Sequence, residues 1–372
     1  MASSVAHVIW EYLTLSETFL YDQISTMRSF RPIVLTDKVD NLEVFPFNPI
    51  YKLPRNFGPR LVEDRIWWRL TGSNPTFENA VRKENVELLH AHFGPTGVYV
   101  IPLKTRKKIP LITSFYGYDA SKVLLESPKV YEKLFSEGER FIAISEYIQG
   151  RIIEAGCPNE KITLQRLGID TQRFPFSPRV PKEGEPIKLL HIGRLVEKKG
   201  LMILIQALPD VLKEHPNVIL EVIGDGPLKG EIENLIKELG VEKYVKLLGS
   251  KTRDEVLEAV LQSHVMVLPS LTAKDGDTEG LGVVLLEAQA TGMPVVSTLH
   301  NGLPETVVDR KTGLLAKEGD VEDLKVKLLK VLDNQDHWPV FGRAGRAHVE
   351  ENFNLKIQAE KLEEIYKDVL EK

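Results

Sequence analysis

Cysteine is nearly missing from this chain of 372 residues, where Cys157 stands alone. That excludes an intramolecular disulfide and a cysteine-cluster metal site, and it fits a reducing compartment. A small buried apolar role suits Cys157 better than a nucleophilic one. Long apolar runs are missing too: no stretch of about 18 apolar residues occurs, so no membrane-spanning helix is expected. The opening Met-Ala-Ser-Ser-Val-Ala-His-Val-Ile-Trp lacks the basic region and apolar stretch of an export signal, and the expected location is the cytoplasm. Neither the G-x-G-x-x-G dinucleotide fingerprint nor the G-x-x-x-x-G-K-[ST] phosphate loop occurs where a strand leads into a helix, which counts against a nicotinamide dehydrogenase. The net charge of −5 argues against a nucleic-acid partner. No metal-ligand cluster stands out, and no metal or other cofactor is expected. His90 and His92, two apart, are read as facing opposite sides of a strand, hence as hydrogen-bonded structural residues rather than a metal pair.

What is present is the composition of an ordinary globular protein, 42% hydrophobic and 27% charged. The length exceeds a single core, and two domains of roughly 150–200 residues follow. Short apolar runs alternate with amphipathic stretches, which is an α/β pattern. Val5 to Trp10, Pro32 to Thr36, Val86 to His90, Pro110 to Phe115, Phe141 to Ser145 and Lys161 to Leu167 read as strands of a domain over 1–174. Between Arg173 and Pro186 the periodicity stops and four prolines occur, so 175–186 is expected to be a semi-rigid linker. The pattern restarts at Ile187 and runs to 355. Lys356 to Leu370 reads as a closing helix. Charge is uneven: residues 1–178 hold 22 Lys and Arg against 20 Asp and Glu, or +2, which leaves 26 against 33, or −7, for the rest.

The chain is organised around 276–296, where a glycine-laced loop carrying Glu279 enters an apolar helix carrying Glu287. Gly280 and Gly282 have no Cβ, so the backbone can bend sharply and come close to a ligand at a helix start, where negative charge is favoured. Glu287 inside an apolar helix is costly unless something accepts its charge or its hydrogen bonds, and a diol is a natural partner. A solvated Glu279 and a Glu287 paired to a nearby Lys or Arg is the alternative. In Gly193-Arg-Leu-Val-Glu-Lys-Lys-Gly200, Arg194 and Lys199 sit on a strand-to-helix loop. A planar guanidinium beside a compact ammonium suits a pyrophosphate and the charge it gains as a leaving group. Lys198 is expected to be solvated. Gly224 permits a tight turn after the next strand.

Glu279 and Glu287, with seven residues between them and a Glu-Gly-Leu-Gly start, resemble the E-x7-E element of the retaining glycosyltransferases of family 4, and Leu189 to Leu315 reads in register with that family. The resemblance implies the GT-B fold, two doubly wound Rossmann-like domains facing each other across a cleft. It implies that Arg194 and Lys199 hold the donor pyrophosphate, Glu279 the sugar hydroxyls and Glu287 the ribose diol, with Gly193, Gly224, Gly280, Leu281 and Gly282 shaping the site. Gly249-Ser-Lys251 occupies the place of the loop that binds the base. No guanine-reading carboxylate is evident at Thr252 or Arg253, so a uridine donor is favoured over a guanosine one. The implied catalytic set is Arg194, Lys199 and Glu279, with no nucleophile and no metal required.

The first half matches the family more loosely. Ser16 and Glu17 open a helix with the apolar stripe Phe19, Leu20, Ile24 and Met27, and Ser16 is placed to cap it or to face the ligand. His92, Tyr116 and Gly117 are the other acceptor-side residues. Tyr116 stands where family members commonly have a histidine that contacts the donor sugar; a phenol can hydrogen-bond a hydroxyl but does not titrate near neutrality. The Ser-Glu-Thr-Phe opening, His-Ala-His-Phe and Phe-Tyr-Gly-Tyr-Asp resemble the branch that builds colanic-acid-like exopolysaccharides on lipid carriers. Arg55, Arg60, Arg65 and Arg69 interleave with Phe57, Ile66, Trp67, Trp68 and Leu70, and Lys104-Thr-Arg-Lys-Lys108 adds a second basic run. Such a mixture suits an anionic membrane surface, or else tryptophans packed inward under a solvated basic face. The expected activity is transfer of a sugar from a nucleoside diphosphate sugar to a glycan or lipid-linked acceptor, peripheral to the inner face of the cell membrane. The rivals are a two-lobed sugar-binding protein without chemistry and a GT-B sugar-nucleotide epimerase.

Overall fold

The computed structural model describes residues 3–14, 17–54, 67–182 and 184–372. The chain divides into two units: Met1–Gly168 with Leu355–Lys372, and Ile169–Asn354.

In the first unit seven parallel strands form one sheet, in the order Ile50–Lys52, Arg31–Thr36, Ser4–Val8, Val86–His92, Leu111–Phe115, Arg140–Ala143 and Ile162–Leu164. All five residues of Ser4–Val8 and of Leu111–Phe115 are buried, as expected for strands covered on both faces by crossover helices. The helix Thr18–Ser25 buries Leu20 and Ile24. Its N-cap position is Glu17, with no side-chain cap bond, and Ser16 lies outside the described residues. Of the aromatic-basic stretch, 55–66 also lies outside them, and 67–71 is helical. The helix Leu355–Leu370 belongs to this unit; it buries Leu362 and Tyr366 with Val5, Leu88 and Ile112, and Glu363 accepts the N–H groups of Arg28 and Ser29.

In the second unit six parallel strands run in the order Val245–Leu247, Val218–Ile223, Ile187–Ile192, Val265–Leu268, Val295–Thr298 and Gly313–Ala316. Strand order reverses between Ile187–Ile192 and Val265–Leu268, the place in an open parallel sheet where ligands bind beyond the carboxyl ends. One apolar layer joins the helices Leu201–Glu214 and Val321–Asp333 to one face, and another places Leu285 and Ala288 of Val283–Ala290 on the other. Asp320 caps Val321–Asp333, and Thr252 with Glu255 makes a capping box for Arg253–Gln262. The described residues of 175–186 lie with this unit, where the buried Arg179 donates to the carbonyls of Val260, Ser263 and Thr291.

Among the described residues no helix is long and apolar enough to cross a membrane.

Candidate functional site

The second unit gathers its polar loops at one sheet edge, because parallel strands send every strand-to-helix loop to the same side. Backbone bonds stitch these loops together. Leu195 N–H donates to Asp225 O, Gly224 N–H to Gly249 O, and Leu271 N–H to Lys198 O. The glycines allow this closeness: a Cβ on Gly224 would fall 1.9 Å from Gly193 O, and one on Gly200 1.8 Å from Pro269 O. Gly282, with φ +74, is the N-cap of Val283–Ala290, so the left-handed residue needed there is one without a side chain.

Across the switch point, Lys199 Nζ is paired with Glu279 Oε2, the two side chains only 15% and 14% exposed. The stem of Lys199 lies along Gly193, whose added Cβ would come 3.2 Å from Lys199 Cδ. Burial pushes the Glu279 carboxyl up, but the Lys199 and Lys198 ammonium groups outweigh it and hold the group below the usual carboxylate range. Arg194 is exposed on the same loop and makes no ion pair among the described residues. Gly280 and Leu281 are buried and Glu287 is half-buried one turn into the helix. Lys251 is paired with Glu255 at 2.9 Å, and the same carboxylate accepts from Thr252 N at 2.8 Å.

Lys198 departs from expectation. It is buried, with Nζ 2.8 Å from Asp277 Oδ1 and 3.2 Å from Thr278 O, because the 3-10 turn Glu197–Lys199 lies against the 271–279 loop. His300 went unnoticed in the sequence as well. It is fully buried, its Nε2 is 3.4 Å from Glu279 N, and its Nδ1 is 3.1 Å from Glu318 Oε2. No sequence signal marked it, since its partners lie 21 and 18 residues away.

In the first unit the carboxyl edge is built on a buried carboxylate. Asp119 accepts the N–H groups of Gly94, Tyr116 and Gly117 at 2.9–3.0 Å; burial nonetheless pushes its carboxyl up. Behind this turn His7, His90 and His92 are fully buried. His90 and His92 do not face opposite sides: residues two apart in a strand share a face, and their rings stack with centroids 4.3 Å apart. One nitrogen from each of the three lies within 4.8 Å of the others. His90 is hydrogen-bonded to Tyr366 and Ser114, and His92 to Tyr116 and His7, while His7 Nε2 has no hydrogen-bond partner among the described residues. Burial drives all three toward the neutral form, His7 to about 3.

The Tyr116 hydroxyl therefore points inward, 2.6 Å from His92 Nδ1, and its ring packs on Phe19 and Phe93. Burial pushes its phenol far up. Glu17, half-buried, contributes charge near it.

The basic run does not stand free. Lys104 is paired with Glu139, while Arg106 and Lys107 are paired with Glu78, which also accepts from Trp67. Trp68 and Leu70 are exposed.

Three comparisons bear on this geometry. Residues 172–348 match the family described as glycosyl transferases group 1, and residues 26–173 match glycosyltransferase family 4. The Escherichia coli K12 protein WcaL, named for a colanic acid biosynthesis glycosyltransferase, is 38% identical over 274 residues, 72% of this chain and 67% of WcaL. A GDP-mannose-dependent monoacylated alpha-(1-6)-phosphatidylinositol monomannoside mannosyltransferase of Corynebacterium glutamicum is 29% identical over 90% of this chain and 92% of its own. The crystal structure of Anabaena Alr3699/HepE in complex with UDP and glucose superposes with a TM-score of 0.80 at 20% identity, covering 98% of this chain and 99% of the other. With two Rossmann-like parallel sheets of this kind the fold is GT-B, and the chain belongs to the group 1, family 4 glycosyltransferases.

Proposed function

We propose that this protein is a retaining glycosyltransferase of exopolysaccharide synthesis, moving a sugar from a nucleoside diphosphate sugar to a glycan or lipid-linked acceptor. The observation that carries the reading is the junction of Lys199 with Glu279 at the switch point, with Arg194 on the same loop. Cations placed there stabilise the diphosphate as charge develops on it, and a carboxylate beside them takes sugar hydroxyls. Arg194 and Lys199 bind the leaving diphosphate, Glu279 orients the sugar, and Glu287 takes the ribose diol. Attack comes from the face of the departing phosphate, whose oxygen receives the acceptor proton, so the configuration is retained. No metal is assigned a part.

The name of the Corynebacterium glutamicum relative mentions GDP-mannose, and the structural neighbour holds UDP. Uridine is favoured here because Glu255, the carboxylate beside the loop 249–252, is occupied by Thr252 and Lys251, which leaves it poorly placed to accept from guanine. The acceptor is assigned to the first unit, around Glu17 and Gly117, and attachment to an anionic membrane to the exposed Trp68 and Leu70.

A thermal-shift panel of UDP, GDP, ADP and their common sugars tests the donor assignment, with Glu287→Ala and Arg194→Ala as controls. One nucleotide is expected to stabilise the wild type and to lose its effect in both variants. No response from well-folded protein at about millimolar ligand, roughly the 4 kcal/mol level of binding, overturns it.

A further inference from the structure

Three successive residues of the Glu197–Lys199 turn each hold a different part of the 271–279 loop. Glu197 Oε2 accepts from Lys274 N at 3.0 Å. Lys198 donates to Asp277 Oδ1 and Thr278 O, while its own carbonyl accepts from Leu271 N. Lys199 is paired with Glu279. The loop also closes on itself, with Ala273 N–H donating to Asp277 O at 2.9 Å and Asp277 N–H to Asp275 Oδ1 at 3.0 Å. Gly200 seats the turn directly against Pro269.

The central rung is expensive for what it adds to stability. Lys198 and Asp277 have side chains 10% and 20% exposed, and an apolar pair of similar volume would avoid the desolvation of two charges. What an apolar pair lacks is direction. An ammonium aimed at one carboxylate and one carbonyl fixes which loop residue lies opposite which turn residue, and a slip of one residue would put Lys199 opposite Thr278 instead of Glu279.

We propose that Lys198 and Asp277 are positioning residues for the donor site, setting the register that brings Lys199 and Glu279 together. The inference rests on the donor reading above, since it acts through residues assigned to the diphosphate and the sugar.

The test uses the full chain and whichever of UDP or GDP binds the wild type by calorimetry. Asp277→Asn is expected to weaken binding about tenfold or more, about 1.4 kcal/mol. Asp277→Glu, which keeps the carboxylate, restores most of the affinity. In a Lys199→Met background Asp277→Asn adds no more than about twofold, because the two act as one unit. Equal weakening in both backgrounds, or none in either, overturns the proposal. If the wild type binds neither nucleotide, the donor reading falls by itself, and amide hydrogen exchange in the ligand-free protein decides the register. Exchange over 271–280 faster by about tenfold in Asp277→Asn, with 201–214 unchanged, supports it; unchanged exchange overturns it.

Discussion

Lys199 and Glu279, 80 residues apart in the chain, meet as an ion pair with little solvent around either side chain. Removing one partner leaves the other charge without its direct counter-ion in a place that little water reaches. Lys199→Met is expected to lower stability by about 3 kcal/mol, and the double variant with Glu279→Gln by clearly less than the sum of the two singles. Urea denaturation of the four proteins checks it.

The same pair sets a pH dependence. Burial raises the Glu279 carboxyl, Lys199 and Lys198 more than reverse that, and the folded value lies below the unfolded one. The stability it contributes is therefore fully present above the ordinary carboxylate pKa of about 4.3 and is lost as pH falls through the depressed folded value. The stability advantage of wild type over Glu279→Gln should shrink below about pH 4.3. A constant difference from pH 7 down to acid unfolding would contradict it.

Tyr116 is bonded inward to His92. Tyr116→Phe is expected to cost about 1–3 kcal/mol by leaving a buried imidazole nitrogen unpaired, with donor kinetics changed by less than about threefold, under 1 kcal/mol. A loss of turnover at unchanged melting temperature would mean that the hydroxyl faces substrate.

Gly200 has φ +67 and no room for a Cβ beside Pro269 O. Gly200→Ala should destabilise by more than about 3 kcal/mol or displace the Glu197–Lys199 turn. A melting curve matching the wild type would refute this packing account.

Membrane attachment is expected to depend on Trp68 and Leu70, which are 51% and 80% exposed, and little on Lys104 and Lys107, whose charges are met by Glu139 and Glu78. Flotation with anionic liposomes at low salt should weaken severalfold in Trp68→Ala/Leu70→Ala and less than about twofold in Lys104→Gln/Lys107→Gln, given roughly 1 kcal/mol for each lysine that does reach an anionic surface. No flotation by folded wild type would end the membrane reading.

Local pattern carried much of the architecture. Apolar runs such as Ile187–Ile192 and the caps at Asp320 and Ser145 depend on neighbours within a few residues, so they are legible from sequence, and so was the α/β class. The glycine-bounded loops and the acidic pair Glu279 and Glu287 were legible for the same reason, since a helix start and its loop are contiguous. The error over His90 and His92 was one of period, not of information: strand residues two apart share a face.

What only the tertiary structure decided is which distant groups neutralise one another. Lys198 and Lys199 are chemically identical neighbours, yet one is held by Asp277 and Thr278 and the other by Glu279, because the reversal of strand order lays two loops 80 residues apart against each other. Tyr116 read as a group facing ligand until His92, from the adjacent strand, took its hydroxyl. The sequence by itself determined the two α/β units, the family and the residue types of the 193–200 and 276–282 loops, all properties of contiguous segments. The direction of each side chain and the pairing of each charge depend on contacts made across the sheet, and no local pattern encodes them.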